Sequence, residues 1–230
     1  MDLDRLKEEW AREQDTLRTR VVTTDQFDPA SLKRVGGVDI SFDKKDPTRA
    51  CAYLVVFDAG TLEPIYEDHE VVTLTIPYIA GFLGFREVPH YLTLLDRLRR
   101  TQPEHTPDVI LVDGFGTLHH RGFGSACHLG VMGNIPALGC AKTLMCLDGL
   151  DEKKTKTAFK DPTVETLDLI GDSGTVHGVA VRSPGTTNPI YVSVGHGVSL
   201  KTAVDVVKRV SKYRVPEPIR LADIRSKTFL

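Results

Sequence analysis

The spacing of apolar positions changes along the chain, and the changes divide it into elements. Leu3, Leu6, Trp10, Leu17 and Val21 fall on one helical stripe surrounded by charges, which predicts an amphipathic helix from Leu3 to Val21 docked by packing. After Asp28-Pro29, the segments Arg34 to Phe42, Ala50 to Phe57 and about Ile65 to Leu74 read as strands. The turn-rich links Asp43 to Pro47 and Asp58 to Thr61 are too short for crossovers, so these strands form an antiparallel meander. The stretch Pro77 to Pro89 is rich in aromatics and glycine, and Pro89 is expected to open a helix with the stripe Leu92, Leu95 and Leu98.

The continuous apolar run Val109 to Val112 predicts a strand buried on both faces. Ser125 to Val131 reads as a helix and Ile135 to Lys142 as the next strand, and a helical crossover between two apolar strands implies a parallel pair. From Asp148 to Pro162 the composition turns polar, with Lys153, Lys154, Lys156 and Lys160, and a flexible surface insertion is expected there. Val176 to Val181 and Ile190 to Val194 form a further pair of strands around Gly185. Ser199 caps a helix carrying Leu200, Ala203, Val204, Val207 and Val210, and Pro216 to Lys227 makes a last short helix containing Asp223. The expected fold is a single α/β domain over residues 1–230, with a mixed central sheet of a three-strand meander plus parallel strands, flanked by helices.

Composition narrows the class. Of 230 residues, 41% are hydrophobic and 26% charged, as in an ordinary soluble globular protein. The net charge is −2 and the sequence pI about 6.4, so no bulk positive field exists and any phosphate-binding surface must be local. Cys51, Cys127, Cys140 and Cys146 lack metal-ligand spacing and read as reduced, buried thiols. The charged N-terminus lacks the apolar core of a signal peptide, and no apolar run approaches a membrane span. A cytoplasmic chain with no membrane partner is expected, with a nuclear or nucleolar location as the alternative.

The candidate chemistry lies in acids placed where acids are unusual. Asp113 ends the buried run and is followed by Gly114 and Gly116; it is either a turn residue or a ligand at the carboxyl end of a strand, where open α/β sheets bind ligands. Asp39 sits inside a strand, which is unfavourable unless it is paired or bound to a cation. Glu87 stands near a helix entrance, where the backbone dipole alone would favour it. Gly171-Asp172-Ser173-Gly174 matches the tetrapeptide around a serine-protease nucleophile, but between two strands of an α/β chain it reads as a polar turn. The Gly114-x-Gly116 loop lacks a dinucleotide fingerprint. His119 and His120 are adjacent on what reads as an extended segment, so they point apart and fit phosphate or base contacts better than one shared ion.

A meander, a helix and a parallel strand in this order, with Asp39, Glu87, Asp113 and Asp223 along them, resemble the ribonuclease-H-like nucleases. There the first and fourth strands are neighbours, about 4.8 Å apart, and clustered carboxylates hold divalent ions that activate water at a phosphodiester.

Five segments carry a more specific resemblance. Arg34 to Phe42 (RVGGVDISF), Pro77 to Glu87 (PYIAGFLGFRE), Val112 to Gly124 (VDGFGTLHHRGFG), Ser193 to His196 (SVGH) and Pro216 to Ile224 (PEPIRLADI) are similar in order and content to the endonuclease V family, and Ala126 to Val131 resembles its animal branch. The resemblance implies a metal-dependent endonuclease that recognises inosine and cuts the second phosphodiester on its 3′ side, leaving 3′-hydroxyl and 5′-phosphate ends. It implies Asp39, Glu87 and Asp113 as metal ligands, Asp223 as a fourth acid unless Lys227 merely pairs with it, and Lys142 as a group that stabilises charge or orients water. It further implies Pro77-Tyr78-Ile79-Ala80 as a wedge whose Tyr78 fills the space of an extruded base. The inosine pocket would be built near Gly81, Leu83, Gly84 and Gly114, with Gly116 beside it. His196 is either a phosphate contact or a structural histidine. Phe115, where relatives are expected to carry a polar residue, either stacks on a base or packs inward. The implied cofactor is Mg²⁺, with Mn²⁺ as a substitute, and the implied partner is inosine-containing RNA acted on by a monomer. The alternatives are a DNA repair enzyme acting on deoxyinosine and an inosine-RNA binding protein without nuclease activity.

Overall fold

The computed structural model describes residues 2–230 and contains one eight-stranded mixed sheet. Strands β1 (Arg34–Phe42), β2 (Arg49–Asp58) and β3 (Pro64–Thr73) form the antiparallel meander expected from their short links. Helix α2 (Leu83–Thr101) carries the chain to β4 (Val109–Asp113), which lies parallel to β1. Helix α3 (Ser125–Gly133) leads to β5 (Ala137–Ala141), parallel to β4. A second antiparallel set, β6 (Thr166–Ile170), β7 (Val176–Val181) and β8 (Ile190–His196), continues the sheet from β5, giving the order β3-β2-β1-β4-β5-β8-β7-β6.

Period-two alternation decides what each face of β1 and β4 packs against. Val38, Ile40, Ile110 and Val112 pack with Val88, Leu95, Ala126 and Leu129 of α2 and α3. Val35, Val109 and Leu111 turn the other way, toward the cluster built by Val204 and Val207 of α5 (Leu200–Arg209) and Ile219 of α6 (Glu217–Ser226). The α6 helix seats directly on β1, because a side-chain carbon at Gly37 would collide with the backbone of Pro218. The N-terminal helix α1 (Leu3–Arg18) docks through Leu17 onto Phe123, Cys127 and Val131.

Several expectations change. Pro89 lies inside α2 rather than at its start. The helix begins six residues earlier at Leu83, and Pro89, lacking an N–H, leaves the Phe85 carbonyl without its helical donor. The polar stretch Asp148 to Pro162 contains helix α4 (Glu152–Ala158), capped by Asp151 and followed by the fully buried Phe159. Strand β6 was not expected; most of its residues are exposed or only partly buried, so its apolar signal is short. The segment at His119 and His120 is a turn rather than extended chain. Cys146 is exposed, whereas Cys51, Cys127 and Cys140 are buried. Gly171 to Gly174 is the turn joining β6 to β7; Ser173 bonds Asp148 at 2.5 Å, and His177 also bonds Asp148 instead of the serine. No described helix is long and apolar enough to cross a membrane.

Candidate active site

Register brings the first two acids together. The β1–β4 pairing runs to Val38 opposite Val112, so Asp39 and Asp113, one residue further, end up side by side on strands about 4.8 Å apart. Asp39 shares its face with Val35 and Gly37 and therefore turns toward α6, which carries Asp223, while Glu87 arrives on α2 from the opposite face. Asp39 is 8% and Glu87 5% exposed. Burial, reinforced by the charges of Asp113 and Asp223, raises Asp39 to a pKa of about 7. Burial and then the Asp39 charge raise Glu87 to about 8, against the opposing pull of Arg86. In both, burial and the neighbouring carboxylates disfavour the charged form.

Lys142, just beyond β5, supplies a compensating cation. Its Nζ donates to Asp113 Oδ2 at 2.5 Å, and Arg214 donates to its main-chain carbonyl at 2.6 Å. Burial works against the ammonium, but Asp113 together with Asp39 and Asp223 outweighs it and holds the Lys142 pKa above its ordinary value. Asp223 makes the helical pair with Lys227, at 2.6 Å, and its charge also acts on Asp39. Among the described residues no three Asp, Glu, His or Cys groups close on one point; Asp113 is turned to Lys142 instead. The donor set is nonetheless all oxygen, and its excess negative charge fits hard divalent cations better than soft ones.

Directly beside Asp113 lies a cavity of about 140 Å³, the scale of one planar ring system rather than of a drug-sized ligand. Gly81, Leu83, Gly84 and Gly114 line it, and Tyr78, 65% exposed, stands at its rim. Gly114 has φ +151°, and a side-chain carbon there would lie 2.8 Å from Ser125 Oγ, so glycine keeps this wall open. Phe115 lines the cavity and also packs inward toward the Leu118 and Tyr191 cluster. His119 and His128 line it as well. Burial depresses both to about 4, with neighbouring His120 and Arg121 adding to the effect at His119. His119 Nδ1 accepts the Arg121 N–H at 3.2 Å, which leaves Nε2–H as the donor of the neutral ring.

Other expected site residues fall elsewhere. Pro77 and Ala80 are exposed beside Tyr78, and Ile79 is buried. Gly116 is buried and donates its N–H to Ser193 Oγ at 2.9 Å, and His120 is exposed and off the cavity. His196 pairs with Ala137 at the start of β5, the end of the sheet away from the acids, and its Nδ1 accepts the Val22 N–H at 3.2 Å. That contact is what the structural alternative for His196 describes.

Gln14 was missed. It is 3% exposed, and its Nε2 donates to the carbonyls of Gly81 at 3.1 Å and Phe123 at 2.7 Å while Oε1 accepts from Arg121 at 2.5 Å. A polar residue between Trp10 and Leu17 on the docking stripe of α1 was the available signal. Ser125 and His128 were also missed, in a helix apolar enough to read only as core.

The comparisons with known proteins agree with this geometry. The family model for Endonuclease V matches residues 15–224. The chain is 50% identical over 228 residues to Endonuclease V of Homo sapiens, covering 95% of this chain and 81% of that protein. The crystal structure of the catalytic domain of human Endonuclease V matches with a TM-score of 0.93 and 47% identity, covering 98% of this chain and 96% of that one. Ciona intestinalis Endonuclease V, crystallised with a 23mer DNA containing an inosine followed by a ribo-adenosine, matches with a TM-score of 0.94 and 34% identity, covering 98% and 97%. The fold is accordingly ribonuclease-H-like. Because the matched span takes in Asp39, Glu87, Asp113 and Asp223 together, and half of the residues are shared with the human relative, the chain belongs to the Endonuclease V family of nucleases.

Proposed function

We propose that this enzyme cleaves inosine-containing single-stranded RNA at the second phosphodiester 3′ to the inosine, using Mg²⁺, with Mn²⁺ as a substitute. The observation that carries the reading is the base-sized, glycine-walled cavity next to Asp113, with exposed Tyr78 at its rim. A flipped hypoxanthine needs close walls that exclude guanine's exocyclic amine, and Gly84 and Gly114 allow such an approach. Neutral His119 and His128 offer ring N–H donors and acceptors to a base edge without a charge. The inosine and the following ribonucleotide bound by the Ciona relative support both the base and the sugar.

Asp39, Glu87, Asp113 and Asp223 would hold the divalent ions, which supply an activated water and charge neutralisation at the phosphate. In the reaction, water oxygen bonds to phosphorus as the bond to the 3′-oxygen breaks, and that oxygen takes a proton. Lys142, kept charged within the cluster by Asp113, is the cation the chain itself brings to the charge that develops.

The test is cleavage of matched inosine and adenosine strands, in RNA and in DNA, with and without Mg²⁺. Inosine RNA is expected to be cut only with metal, and Asp113→Ala to abolish cutting with circular dichroism unchanged. Equal cutting of adenosine and inosine RNA would refute the base reading, and faster cutting of deoxyinosine DNA would refute the RNA preference.

A further inference from the structure

A second depression opens on the other flank of the acids, with a volume of about 800 Å³. The end of β1, the β1–β2 turn, α6 and the residue after it line it through Phe42, Lys44, Lys45, Asp223 and Lys227. The acids stand between the two depressions: Gly114, adjoining Asp113, walls the first, and Asp223 itself lines the second.

Its side chains are those of a single-strand platform. Phe42 is 37% exposed, and the Arg86 guanidinium carbon lies 4.8 Å from its ring centre. Of the nearby acids, Asp43 pairs with Arg49 at 3.2 Å, Asp223 pairs with Lys227 at 2.6 Å, and Asp46 accepts from Thr48 Oγ1 at 2.6 Å. Exposed Lys44 and Lys45 are left without an ion-pair partner among the described residues. These lysines stand beside the exposed Phe42 ring in the same groove. An aromatic face for a base with free cations for the backbone is the combination by which proteins hold unpaired strands.

We propose that this groove holds the part of the strand lying 3′ to the cut, with a base against Phe42 and backbone phosphates against Lys44 and Lys45. The assignment of the 3′ side rests on the activity proposed above: with inosine in the cavity and the cut on its 3′ side, the strand passes the acids and leaves over α6. An acidic peptide would use the lysines but would gain no stacking on the ring.

The experiment compares two inosine RNAs that share their 5′ part and carry either one nucleotide or about eight beyond the cut, within the roughly 4–16 nucleotides that such grooves accept. For wild type, KM is expected to be lower on the long strand. Phe42→Ala should raise that KM about tenfold, the order set by one stacked base. Lys44→Ala/Lys45→Ala, a change confined to exposed side chains, should reduce the slope of log affinity against log salt by about 1.4, the value for two lost single-strand phosphate contacts. Wild-type KM and salt slope in both variants would overturn the proposal, as would equal KM for the two strands in the wild type. If wild type cuts neither strand, the activity reading fails instead. Anisotropy of the same long RNA, 3′-labelled and measured in EDTA, then decides the groove, since a real contact predicts weaker binding by both variants and an absent one predicts no change.

Discussion

Gln14 shows how one side chain can hold a site that it does not supply. Its amide joins α1 to the Gly81 turn, to Phe123 and to Arg121, all around the base-sized cavity. Gln14→Leu fills similar space but removes the donor to the buried Phe123 carbonyl and the part-buried Gly81 carbonyl and the acceptor of Arg121 Nε, so we expect a stability loss of about 1–3 kcal/mol in urea unfolding. Because the same bonds fix the cavity wall, kcat/KM should fall by more than the loss of folded protein accounts for. Wild-type unfolding and cleavage would mean that α1 does not position the cavity. Asp39 stood out in the sequence because an ionisable residue inside an apolar strand has few reasons to be there, whereas Glu87 and Asp223, on helices, stood out only through the family resemblance. Gln14 was half legible, as a polar break in an apolar stripe. His196 looked equally suspicious, yet its partner is the backbone of Val22, a contact between residues far apart in sequence that no local pattern reveals.

At the level of elements, the meander and the parallel pair could be read because short links and apolar runs leave little choice of connection. What escaped was set by packing. Helix α2 runs through Pro89 because Val88, Tyr91 and Leu95 bury against the sheet on both sides of the missing hydrogen bond. Helix α4 forms in a lysine-rich stretch because Asp151 caps it and Phe159 anchors it. The seat of α6 on Gly37 links an element directly to chemistry, since Asp223 rides on that helix. Gly37→Ala should therefore push α6 outward, costing about 1–3 kcal/mol by overpacking and lowering cleavage along with it. A variant with unchanged melting and unchanged activity would show that the seat yields without moving Asp223.

For the molecule as a whole, buried ionisable groups make stability depend on pH with opposite signs. His128 is depressed from 6.5 to about 4, so between those values the unfolded chain binds more protons, and stability falls as the solution is acidified through that window. Asp39 and Glu87, raised to about 7 and about 8, act in the opposite sense, losing stability as pH rises. Comparing His128→Gln with wild type removes the common acid contribution. The wild-type advantage in unfolding free energy should be largest above pH 6.5 and shrink by up to about 3 kcal/mol on approaching pH 4, from 1.36 kcal/mol per pKa unit. A gap that stays constant with pH would show that His128 is protonated as readily in the folded protein as in the unfolded one.

The strand order also determines how the sheet ends. Its two outermost strands are β3 and β6, whose outer rims present unpaired backbone donors and acceptors. Glu67, Asp68 and Glu70 stud the first, with Arg97 from α2 bridging Asp68 at 3.0 Å, and Asp168 interrupts the second. An incoming strand from another copy would have to bury those charges to zip onto either rim, which is how a sheet open at both sides resists growing into an aggregate.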